Sequence, residues 1–472
     1  MLITIDGPAG SGKSTVAKRL AQQLGFFYLD TGATYRVLGL AVYRLTGKED
    51  NFSEAEVLEI LNRIEITVEN RKGEFKIYLN GEDVSDLIRD EKVGRLASLV
   101  ARFPAVKERL FELQRKLVNN GNAVVEGRDA GLYVFPDADV KIFLTASPEE
   151  RAKRRYEQLK SAGVEVSFEE ILRAIVERDK RDATRERYPF KPAEDANIID
   201  TTGLGLEEVY DKVFSIVKPF LNVLITGVGS GLGLALAREF LNRGYKVYAL
   251  SRHFPQELTD NRGFHAVYCD LENLEEIYCR VKGIAELVDD KLPWVILNAG
   301  VLGRLKEMRK THLAEIERVM RVNLWSNKLI LDALIDALSE EAITNVGQII
   351  AISSGAAVNC NKGWNAYSLS KAALNCEIKL YSHEFEKSHL IALAPGLILT
   401  PMLEKLLREG DEERFPSLKR LKAAPKHTPE SATKMLFEVF PNLLKFPSGS
   451  FVDVRTAFPD IYESFLPKSS NP

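Results

Sequence analysis

Hydrophobic runs and amphipathic segments alternate through the first half of the chain. The runs predict buried strands of a parallel sheet at 2–6, 123–127, 140–146 and 197–200. Apolar residues at helical spacing predict helices at 13–24, 91–118, 148–161, 168–186 and 206–218. Residues 64–84 alternate instead with a period of two around an Asn-Arg-Lys-Gly turn, which predicts a β-hairpin inserted into the α/β frame.

The same alternation starts again at residue 223. Hydrophobic runs predict strands at 223–226, 246–251, 264–269, 294–298, 346–353, 389–394 and 450–453, with helices between most of them. This pattern is typical of a doubly wound parallel sheet. Residues 401–425 mix charges with leucines and predict a mobile lid over a substrate site. The sequence thus predicts two α/β domains, 1–220 and 221–472.

The composition agrees with two globular domains. The chain has 472 residues, more than one ordinary domain, and its hydrophobic and charged contents are 45% and 28%. A net charge of −3 gives no indication of a nucleic-acid or membrane partner. The four cysteines form no CxxC pair, which is typical of reduced thiols in a cytoplasmic protein. We expect the N-terminus to form a strand rather than a signal peptide, and no apolar run approaches the ~18 residues of a membrane span.

A phosphate-binding motif lies between the first strand and the first helix. Residues 7–14, GPAGSGKS, fit G-x-x-x-x-G-K-[ST], in which backbone N–H groups and a helix N-terminus face phosphates. The motif assigns Lys13 to the β- and γ-phosphates of ATP and the Ser14 hydroxyl to Mg²⁺. A plain glycine-rich turn is the alternative, and the agreement of motif and context argues against it. The other candidates in the loop are Gly7, Gly10, Ser11, Gly12 and Thr15.

Further motifs follow this loop in order. They are TGATYR at 31–36, ASLVARFP at 97–104, EGRDAG at 126–131 and RDKRDATRER at 178–187. The last motif taken alone is as often plain solvated surface. With the inserted hairpin, the set resembles the bacterial cytidylate kinase family and differs from adenylate and shikimate kinases. The resemblance implies a P-loop nucleoside monophosphate kinase fold over 1–220, with a nucleotide-binding insert at about 64–94 and a lid at about 148–162.

The resemblance also implies a reaction, the phosphorylation of CMP or dCMP by ATP. Residues that would surround CMP are Thr31, Tyr35, Arg36, Ser98, Arg128, Asp129, Arg178, Asp182 and Arg185. Arginines would fork onto the α-phosphate, Ser98 and Asp129 would read the cytosine, and Asp182 would accept from a ribose hydroxyl. In the lid, the positions of Arg151, Arg154 and Arg155 are consistent with a segment that closes over the transferring phosphoryl group. The charge of that group would be stabilised by Lys13, Arg128, Arg154 and Arg178.

Two positions depart from the family pattern. Lys107 stands where the family has a second base-reading arginine. Because lysine cannot make the planar bidentate contact, we expect looser discrimination of cytosine from uracil. Thr34 stands where an apolar residue is usual.

A second glycine-rich loop begins the other half. Residues 226–233, TGVGSGLG, follow a strand and open a helix, which predicts a dinucleotide pyrophosphate at the helix N-terminus. An acidic residue at the end of the next strand would bind a ribose 2′-hydroxyl. Ser251 and Arg252 stand there instead, which favours a 2′-phosphate and therefore NADP(H). The loop candidates are Gly227, Ser230, Gly231 and Gly233.

A serine, a tyrosine and a lysine in this half have catalytic spacing. Tyr367 and Lys371 lie four residues apart on one helix face, and Ser354 precedes Tyr367 by thirteen residues at a strand end. The alternative is an ordinary buried tyrosine with a surface lysine. The loop, NAG at 298–300, Asn323 and PGLILTPM at 395–402 argue against it. Residues 222–472 resemble the short-chain dehydrogenase/reductase family, which implies a Rossmann fold and NADP-linked reduction of a carbonyl compound.

The family resemblance carries roles onto these residues. Tyr367 would donate a proton to the carbonyl, and Lys371 would lower the tyrosine pKa and hold the cofactor ribose. Ser354 would orient the carbonyl, and Asn323 would position Lys371 through water. Further cofactor contacts would be Asp270 with adenine, Asn298 with ribose and Thr400 with the nicotinamide amide.

A bifunctional cytoplasmic enzyme is the leading interpretation. In one alternative the second half is a catalytically idle NADP sensor on an active kinase, against which the intact Ser354, Tyr367 and Lys371 argue. In another it assembles a homodimer or homotetramer through helices predicted at 313–338 and 366–387. The sequence does not specify the carbonyl or alcohol substrate.

Overall fold

The structure is a computed structural model that describes residues 1–71, 73–161, 163–184, 186–288 and 290–467. The chain separates into two compact units, one formed by Leu2–Val217 and the other beginning at Lys218. Over the described residues, the first unit has a five-stranded and a three-stranded sheet, and the second has a seven-stranded sheet. The α/β class predicted for both halves is confirmed.

In the first unit, short strands alternate with helices. Its strands are β1 Leu2–Asp6, β2 Phe27–Asp30, β3 Ile66–Arg71, β4 Glu74–Leu79, β5 Glu82–Asp83, β6 Ala123–Gly127, β7 Val140–Thr145 and β8 Asn197–Asp200. Its helices are α1 Lys13–Leu24, α2 Thr31–Thr46, α3 Glu54–Arg63, α4 Glu91–Val100, α5 Pro104–Val118, α6 Pro148–Ser161, α7 Phe168–Ala183 and α8 Leu206–Val217.

The main sheet of this unit is parallel, in the order β2-β6-β1-β7-β8. Strand β1 is central, and its end is in register with the end of β6, since Asp6 lies opposite Gly127. The phosphate loop follows β1, α2 follows β2, and the GRD motif follows β6. Because parallel strands end at one edge of the sheet, this topology brings the three motifs together.

The inserted hairpin forms as predicted, with β3 and β4 antiparallel and Arg71 opposite Glu74. The predicted continuous helix at 91–118 is wrong. Helix α4 ends at Val100, and α5 starts at Pro104, its first residue. Proline lacks the N–H that a continuing helix would use and disfavours helical geometry in the residue before it. Helix α7 ends at Ala183, before the predicted limit of 186.

The second unit repeats the alternation on a larger scale. Its strands are β9 Asn222–Thr226, β10 Lys246–Ser251, β11 Phe264–Tyr268, β12 Lys291–Leu297, β13 Asn345–Ile352, β14 His389–Ala394 and β15 Ser450–Asp453. Its helices are α9 Gly231–Asn242, α10 Gln256–Thr259, α11 Leu274–Leu287, α12 Leu313–Met320, α13 Ser326–Ser339, α14 Ala356–Asn359, α15 Asn365–Tyr381, α16 Pro401–Glu409, α17 Ser417–Ala423, α18 Pro429–Val439, α19 Val454–Ala457 and α20 Pro459–Ser464.

The seven strands of this sheet are all parallel, in the order β11-β10-β9-β12-β13-β14-β15. The order reverses between β9 and β12, as in a doubly wound sheet, so the predicted topology is confirmed. Buried aliphatic side chains such as Leu224, Val295 and Ile349 cover the sheet and make its core. A crevice forms beyond the strand ends at such a reversal, and ligands bind there in folds of this type.

One predicted helix of the second unit is interrupted in the structure, while the mobility expected of the lid stays a prediction. The helix expected at 313–338 is interrupted by one π-helical turn, Arg321–Trp325, between α12 and α13. The expected lid at 401–425 contains two helices, α16 and α17. Within the described part of the chain, no helix has both the length and the apolar character needed to cross a membrane.

Candidate active sites

The phosphate loop of the first unit is closely packed against the sheet. A Cβ atom on Gly7 would lie 2.1 Å from the Leu144 carbonyl oxygen, so only glycine fits there. Gly12 has φ 88° and precedes α1 without a side-chain cap. The first N–H groups of α1 therefore need an outside partner, which a phosphate supplies.

Ionisable side chains surround the start of α1. The Ser14 hydroxyl donates to Glu126 Oε1 at 2.9 Å. Burial raises the pKa of Glu126 to about 7, with a further contribution from nearby Asp30, while Lys13 opposes the shift. Burial also raises the pKa of Asp6 to about 7, against hydrogen bonds from two backbone N–H groups. Desolvation lowers the pKa of Lys13, and Glu126 opposes that shift.

Glu126 and Asp6 are absent from the sequence-predicted site. Their position could have identified them as site residues, since each lies at or beside the end of a central strand. Around them, no group of three or more His, Cys, Asp or Glu side chains in the described ranges could hold a metal ion. Ser14 therefore fits Mg²⁺ only in combination with phosphate oxygens, which Mg²⁺ commonly uses as ligands.

Helices α2 and α4 carry part of the predicted CMP site. Their backbones are close, because a Cβ atom on Gly39 would lie 2.9 Å from the Ala97 nitrogen. Thr31 Oγ1 donates to the Glu126 carbonyl at 2.9 Å, and Arg36 Nη1 donates to the Ile88 carbonyl at 3.0 Å. Ser98 is exposed one turn after Gly94, whose carbonyl it contacts at 3.2 Å. Tyr35, another predicted residue, also lies on α2, and Thr15 of the phosphate loop lies on α1.

Lys107, which stands where the family has a base-reading arginine, contacts Asp129, one of the two residues expected to read the cytosine. Lys107 is buried, and its Nζ lies 3.0 Å from Asp129 Oδ2. The same ammonium group is 4.9 Å from the centre of the Tyr188 ring. Lysine at this position thus forms an ion pair with Asp129, where the planar guanidinium of an arginine could form two parallel hydrogen bonds.

The arginine-rich segment meets the GRD motif at one carboxylate. Arg128 forms an ion pair with Asp182, and Arg178 Nε lies 3.8 Å from the same Asp182 oxygen. Asp182 is buried, whereas Arg178 is half-exposed. Three of the predicted phosphate- and ribose-binding residues therefore form one cluster. The fourth, Arg185, lies outside the described residues.

The three lid arginines differ in their surroundings. Arg154 Nη2 donates to the Thr201 carbonyl at 2.6 Å, and its Nη1 lies 3.4 Å from the Gly10 carbonyl of the phosphate loop. Arg151 is buried and bonds Asp179 Oδ2 at 2.5 Å, which links α6 to α7. Arg155 is exposed and bonds Gln158. Because Arg151 Nη1 also lies 3.5 Å from the Ala9 carbonyl, two of the three lid arginines contact the phosphate loop.

The departure at Thr34 has a structural explanation. Gln114 Nε2 donates to Thr34 Oγ1 at 2.8 Å, and that hydroxyl donates to the Thr31 carbonyl at 2.8 Å. Both side chains are completely buried. A polar residue on α2 is thus matched by a polar residue on α5, a pairing that the sequence reading missed.

In the second unit, the cofactor loop leaves space only for glycine. A Cβ atom on Gly233 would lie 2.1 Å from the Gly227 carbonyl oxygen and 2.4 Å from Asn298 Nδ2. Asn298 Nδ2 donates to the Thr226 and Gly227 carbonyls at 3.0 and 3.1 Å, which fixes the loop to β9. Ser230 precedes α9 without a side-chain cap, so backbone N–H groups there are open to a pyrophosphate.

The residues after β10 and β11 come together beside this loop. Arg252 Nη1 lies 3.7 Å from Asp270 Oδ1 and 3.9 Å from Glu272 Oε1. The Arg252 side chain is 46% exposed, and Ser251 is buried. Distances this long leave the guanidinium available to a phosphate. On the other side of the loop, Thr400 caps α16 and would touch a Cβ atom on Gly231 at 3.2 Å.

A cavity of about 800 Å³ joins the cofactor loop to the predicted catalytic residues, and Ser354, Tyr367 and Lys371 line it. Burial raises the pKa of Tyr367, and a hydrogen bond with Ser354 opposes the shift. Lys371 Nζ donates to the Ile352 carbonyl at 2.6 Å and lies 5.9 Å from the Tyr367 ring centre. Burial lowers the pKa of Lys371 to about 8.

Asn323 lies at the centre of the π-helical turn and is completely buried. Its Nδ2 donates to Ser370 Oγ and to the Val301 carbonyl, both at 2.9 Å. Ser370 Oγ in turn donates to the Tyr367 carbonyl at 2.8 Å. Asn323 therefore reaches the catalytic helix through Ser370, a residue absent from the sequence-predicted set.

Comparison with known proteins agrees with this division of the chain. The family model for cytidylate kinase matches residues 3–219, and that for short chain dehydrogenase matches residues 221–411. The cytidylate kinase of Aquifex aeolicus is 48% identical over 218 residues, which is 46% of this chain and 96% of the relative. That of Fervidobacterium nodosum is 50% identical over 216 residues, 46% of this chain and 95% of the relative.

Among solved structures, that of the KRED1-Pglu enzyme covers 49% of this chain and 99% of its own, with 24% identity and a TM-score of 0.43. The chain therefore belongs to the cytidylate kinase family through its first half, while its residues 221–411 match the short chain dehydrogenase family model.

Proposed function

We propose that the chain is a bifunctional enzyme. Residues 1–220, with the insert at 64–94 and the lid at 148–162, would transfer the γ-phosphoryl group of ATP to CMP or dCMP. Residues 221–472 would reduce a carbonyl compound with NADPH. The kinase proposal is supported most by the uncapped start of α1 next to Ser14 and Glu126. The reductase proposal is supported most by Ser354, Tyr367 and Lys371 on one cavity wall.

In the kinase half, positioning and charge carry the reaction. Lys13 would reach the β- and γ-phosphates, and Ser14, held by Glu126, would turn its hydroxyl oxygen to the metal. When bound, Mg²⁺ neutralises charge on the phosphates. Arg128 and Arg178 would hold the α-phosphate of CMP, and Arg154 would stabilise the transferring group.

Substrate preference tests the kinase proposal. We expect CMP and dCMP to be phosphorylated efficiently and UMP less so, because Lys107 and Asp129 retain polar groups at the base position. Steady-state rates with each nucleotide at saturating MgATP measure this. A lower KM and higher kcat for UMP than for CMP would overturn the assignment.

Lys107→Arg is the matched variant for the same experiment. The planar guanidinium can donate two parallel hydrogen bonds, so we expect kcat/KM for CMP relative to UMP to rise. An unchanged ratio would show that Lys107 does not take part in base selection.

In the reductase half, the side chains would handle one proton. Tyr367 would donate its hydroxyl proton to the carbonyl oxygen, and Ser354 would hold that oxygen by a second hydrogen bond. Lys371, buried and charged, would favour the tyrosinate that remains. When bound, NADPH supplies the hydride. Gly227, Gly233 and the α9 N-terminus would cradle its pyrophosphate.

Cofactor choice tests this half. We expect NADPH to bind more tightly than NADH, because Arg252 is available to a 2′-phosphate. Fluorescence titrations of both cofactors, repeated with Arg252→Ala, measure the difference. Tighter binding of NADH, or no loss with Arg252→Ala, would contradict NADP preference.

Catalysis is separated from cofactor binding by Tyr367→Phe. Removing the proton donor should lower carbonyl reduction by about 10²–10⁴-fold and leave NADPH affinity unchanged. A chain that binds NADPH but reduces no member of a broad carbonyl panel, with or without this substitution, would instead be a nucleotide sensor.

A further inference from the structure

Two arginines face the cavity of the reductase half next to its catalytic residues. Arg455 follows β15 at the start of α19, and Arg420 lies on α17. Both line the same cavity as Ser354 and Tyr367. Neither is used by the proton transfer or by cofactor binding as proposed above.

Arg455 is held in a fixed orientation. Its Nε and Nη2 donate to the two carboxylate oxygens of Asp453 at 3.0 and 2.6 Å. Nη2 also lies 2.9 Å from the position that a Cβ atom on Gly355 would take. Gly355 directly follows Ser354, so the guanidinium stands one residue from the group that would orient the carbonyl.

The two hydrogen bonds to Asp453 occupy one edge of the Arg455 guanidinium. A guanidinium has five N–H groups, and Nη1 makes no hydrogen bond to any residue within the described ranges. An arginine fixed on one edge by a carboxylate loses little further entropy when its other edge binds a second anion. The pair therefore provides a preorganised donor, although the charge of Arg455 itself is balanced by Asp453.

Arg420 supplies the net charge. It is exposed, its Nη2 donates to Asn361 Oδ1 at 3.0 Å, and it forms no ion pair with a described carboxylate. Trp364 Nε1 donates to Ser417 Oγ at 2.9 Å, which holds α17 against the wall that contains Tyr367.

Carboxylates are scarce around the cavity. Of the described residues that line it, Asp270 is the only acidic one, and it lies beside Arg252 at the proposed cofactor ribose. Leucines such as Leu406 and Leu421 also line the cavity. The substrate side thus combines cationic donors with an apolar wall and lacks a lining carboxylate.

We propose that the carbonyl substrate carries an anionic group, a carboxylate or a phosphate, a few bonds from its carbonyl, and that Arg455 and Arg420 bind this group. The inference rests on the proposed reductase function, because it uses Ser354 and Tyr367 to place the carbonyl. It narrows the substrate class to short oxo acids and phosphorylated carbonyl compounds.

Binding to the full-length protein with oxidised cofactor bound tests the proposal without any turnover. The probes are acetoacetate against methyl acetoacetate, levulinate against methyl levulinate, and dihydroxyacetone phosphate against dihydroxyacetone. We expect at least one anion to bind about tenfold or more tightly than its uncharged partner in calorimetric titrations, the effect of one charge-assisted hydrogen-bonded contact. The carboxylate and phosphate arms show which anion is preferred.

Three variants test which side chains cause the preference for the anion. Arg455→Gln and Arg420→Gln should each reduce the preference for the anion, whereas Arg262→Gln, an exposed arginine outside the cavity, should leave it unchanged. Because Arg455 contacts Asp453, its substitution could disturb folding, so the cofactor affinity of each variant is measured as a check on folding. If Arg455→Gln fails to fold, the result for Arg420→Gln, at the surface, decides the test.

Three results are decisive. Equal or weaker binding of every anion, or a preference that neither substitution changes, overturns the proposal. Selective anion binding that depends on these arginines supports it, even if no probe is then reduced by NADPH. A lack of reduction by NADPH would count against the proposed reductase function alone. Failure of that function can therefore be distinguished from failure of the anion-binding proposal.

Discussion

The ammonium group of Lys371 is buried and donates a hydrogen bond to a backbone carbonyl. Burial lowers the pKa of this lysine to about 8 and raises the pKa of Tyr367. Below about pH 8 the lysine is charged and the tyrosine still holds its proton, the pair of states that carbonyl reduction requires. For the proposed carbonyl reduction, we therefore expect an upper pH limit set by Lys371.

We expect kcat/KM for carbonyl reduction to fall as the pH rises through about 8. Above its pKa, Lys371 loses its proton, and the positive charge that favours the tyrosinate disappears. Initial rates between about pH 6 and about pH 10 measure the profile. Lys371→Arg is the control, because arginine stays charged in this range and should remove the decline. A wild-type rate that holds constant through pH 9 would contradict the assignment.

The buried Thr34–Gln114 pair gives a second prediction for single side chains. Thr34→Val should lower the free energy of unfolding by about 1–3 kcal/mol, because it leaves the buried Gln114 amide with only its longer, 3.4 Å contact to the Thr31 carbonyl. Adding Gln114→Leu should recover most of this loss, since both partners are then apolar. Urea denaturation followed by circular dichroism measures both variants. Strictly additive losses would show that the two residues do not depend on each other.

At the level of elements, the buried strands were the most predictable part of the fold. The seven strands of the second unit agree with prediction to within a few residues. The inner strands are covered on both faces, so they are continuous apolar runs. Helix interruptions were less visible. The π-helical turn at Asn323 was not predicted, and Pro104 was overlooked as a helix start.

The candidate sites, like the helices, were only partly predictable from the sequence. Motifs placed Lys13, Ser354 and Tyr367 at strand and helix ends, where the structure has them. Glu126 was missed although it holds Ser14, because its partner is 112 positions away in the chain. Ser370 was missed for a similar reason, since Asn323 lies 47 positions before it. Local patterns identify one partner of a contact, and only the fold identifies the other.

The link between α6 and α7 gives a prediction at this scale. Arg151 is buried, whereas the Asp179 side chain is 30% exposed. Asp179→Ala would leave a buried guanidinium with only backbone partners, so we expect it to cost about 3–5 kcal/mol. Arg151→Met would leave a carboxylate that water can reach and should cost less. Urea denaturation of the two variants compares them, and a larger loss for Arg151→Met would contradict this account.

For the whole molecule, the two units have separate sheets and different fluorescent residues. The three tryptophans, Trp294, Trp325 and Trp364, all belong to the second unit. Tryptophan emission during unfolding therefore reports on the reductase half, while circular dichroism at helix wavelengths reports on both halves. The two signals allow the stability of each half to be measured in the intact chain.

We expect NADPH at 100 times its Kd to stabilise the tryptophan-detected transition by about 2.7 kcal/mol, since a ligand stabilises the state that binds it. CMP at the same excess should shift the circular dichroism curve and leave the tryptophan curve in place. Chemical denaturation with each ligand separately measures both shifts. A tryptophan transition that moves equally with CMP would contradict the independence of the two units.

The boundary between Val217 and Lys218 also sets an order in time. All five strands of the first main sheet lie before residue 201, so no part of that sheet awaits the second unit. A ribosome adding about 5–20 residues per second needs about 13–50 s to synthesise the rest of the chain. We therefore expect the first unit to be able to fold and bind nucleotides on the nascent polypeptide while the second unit is still being translated.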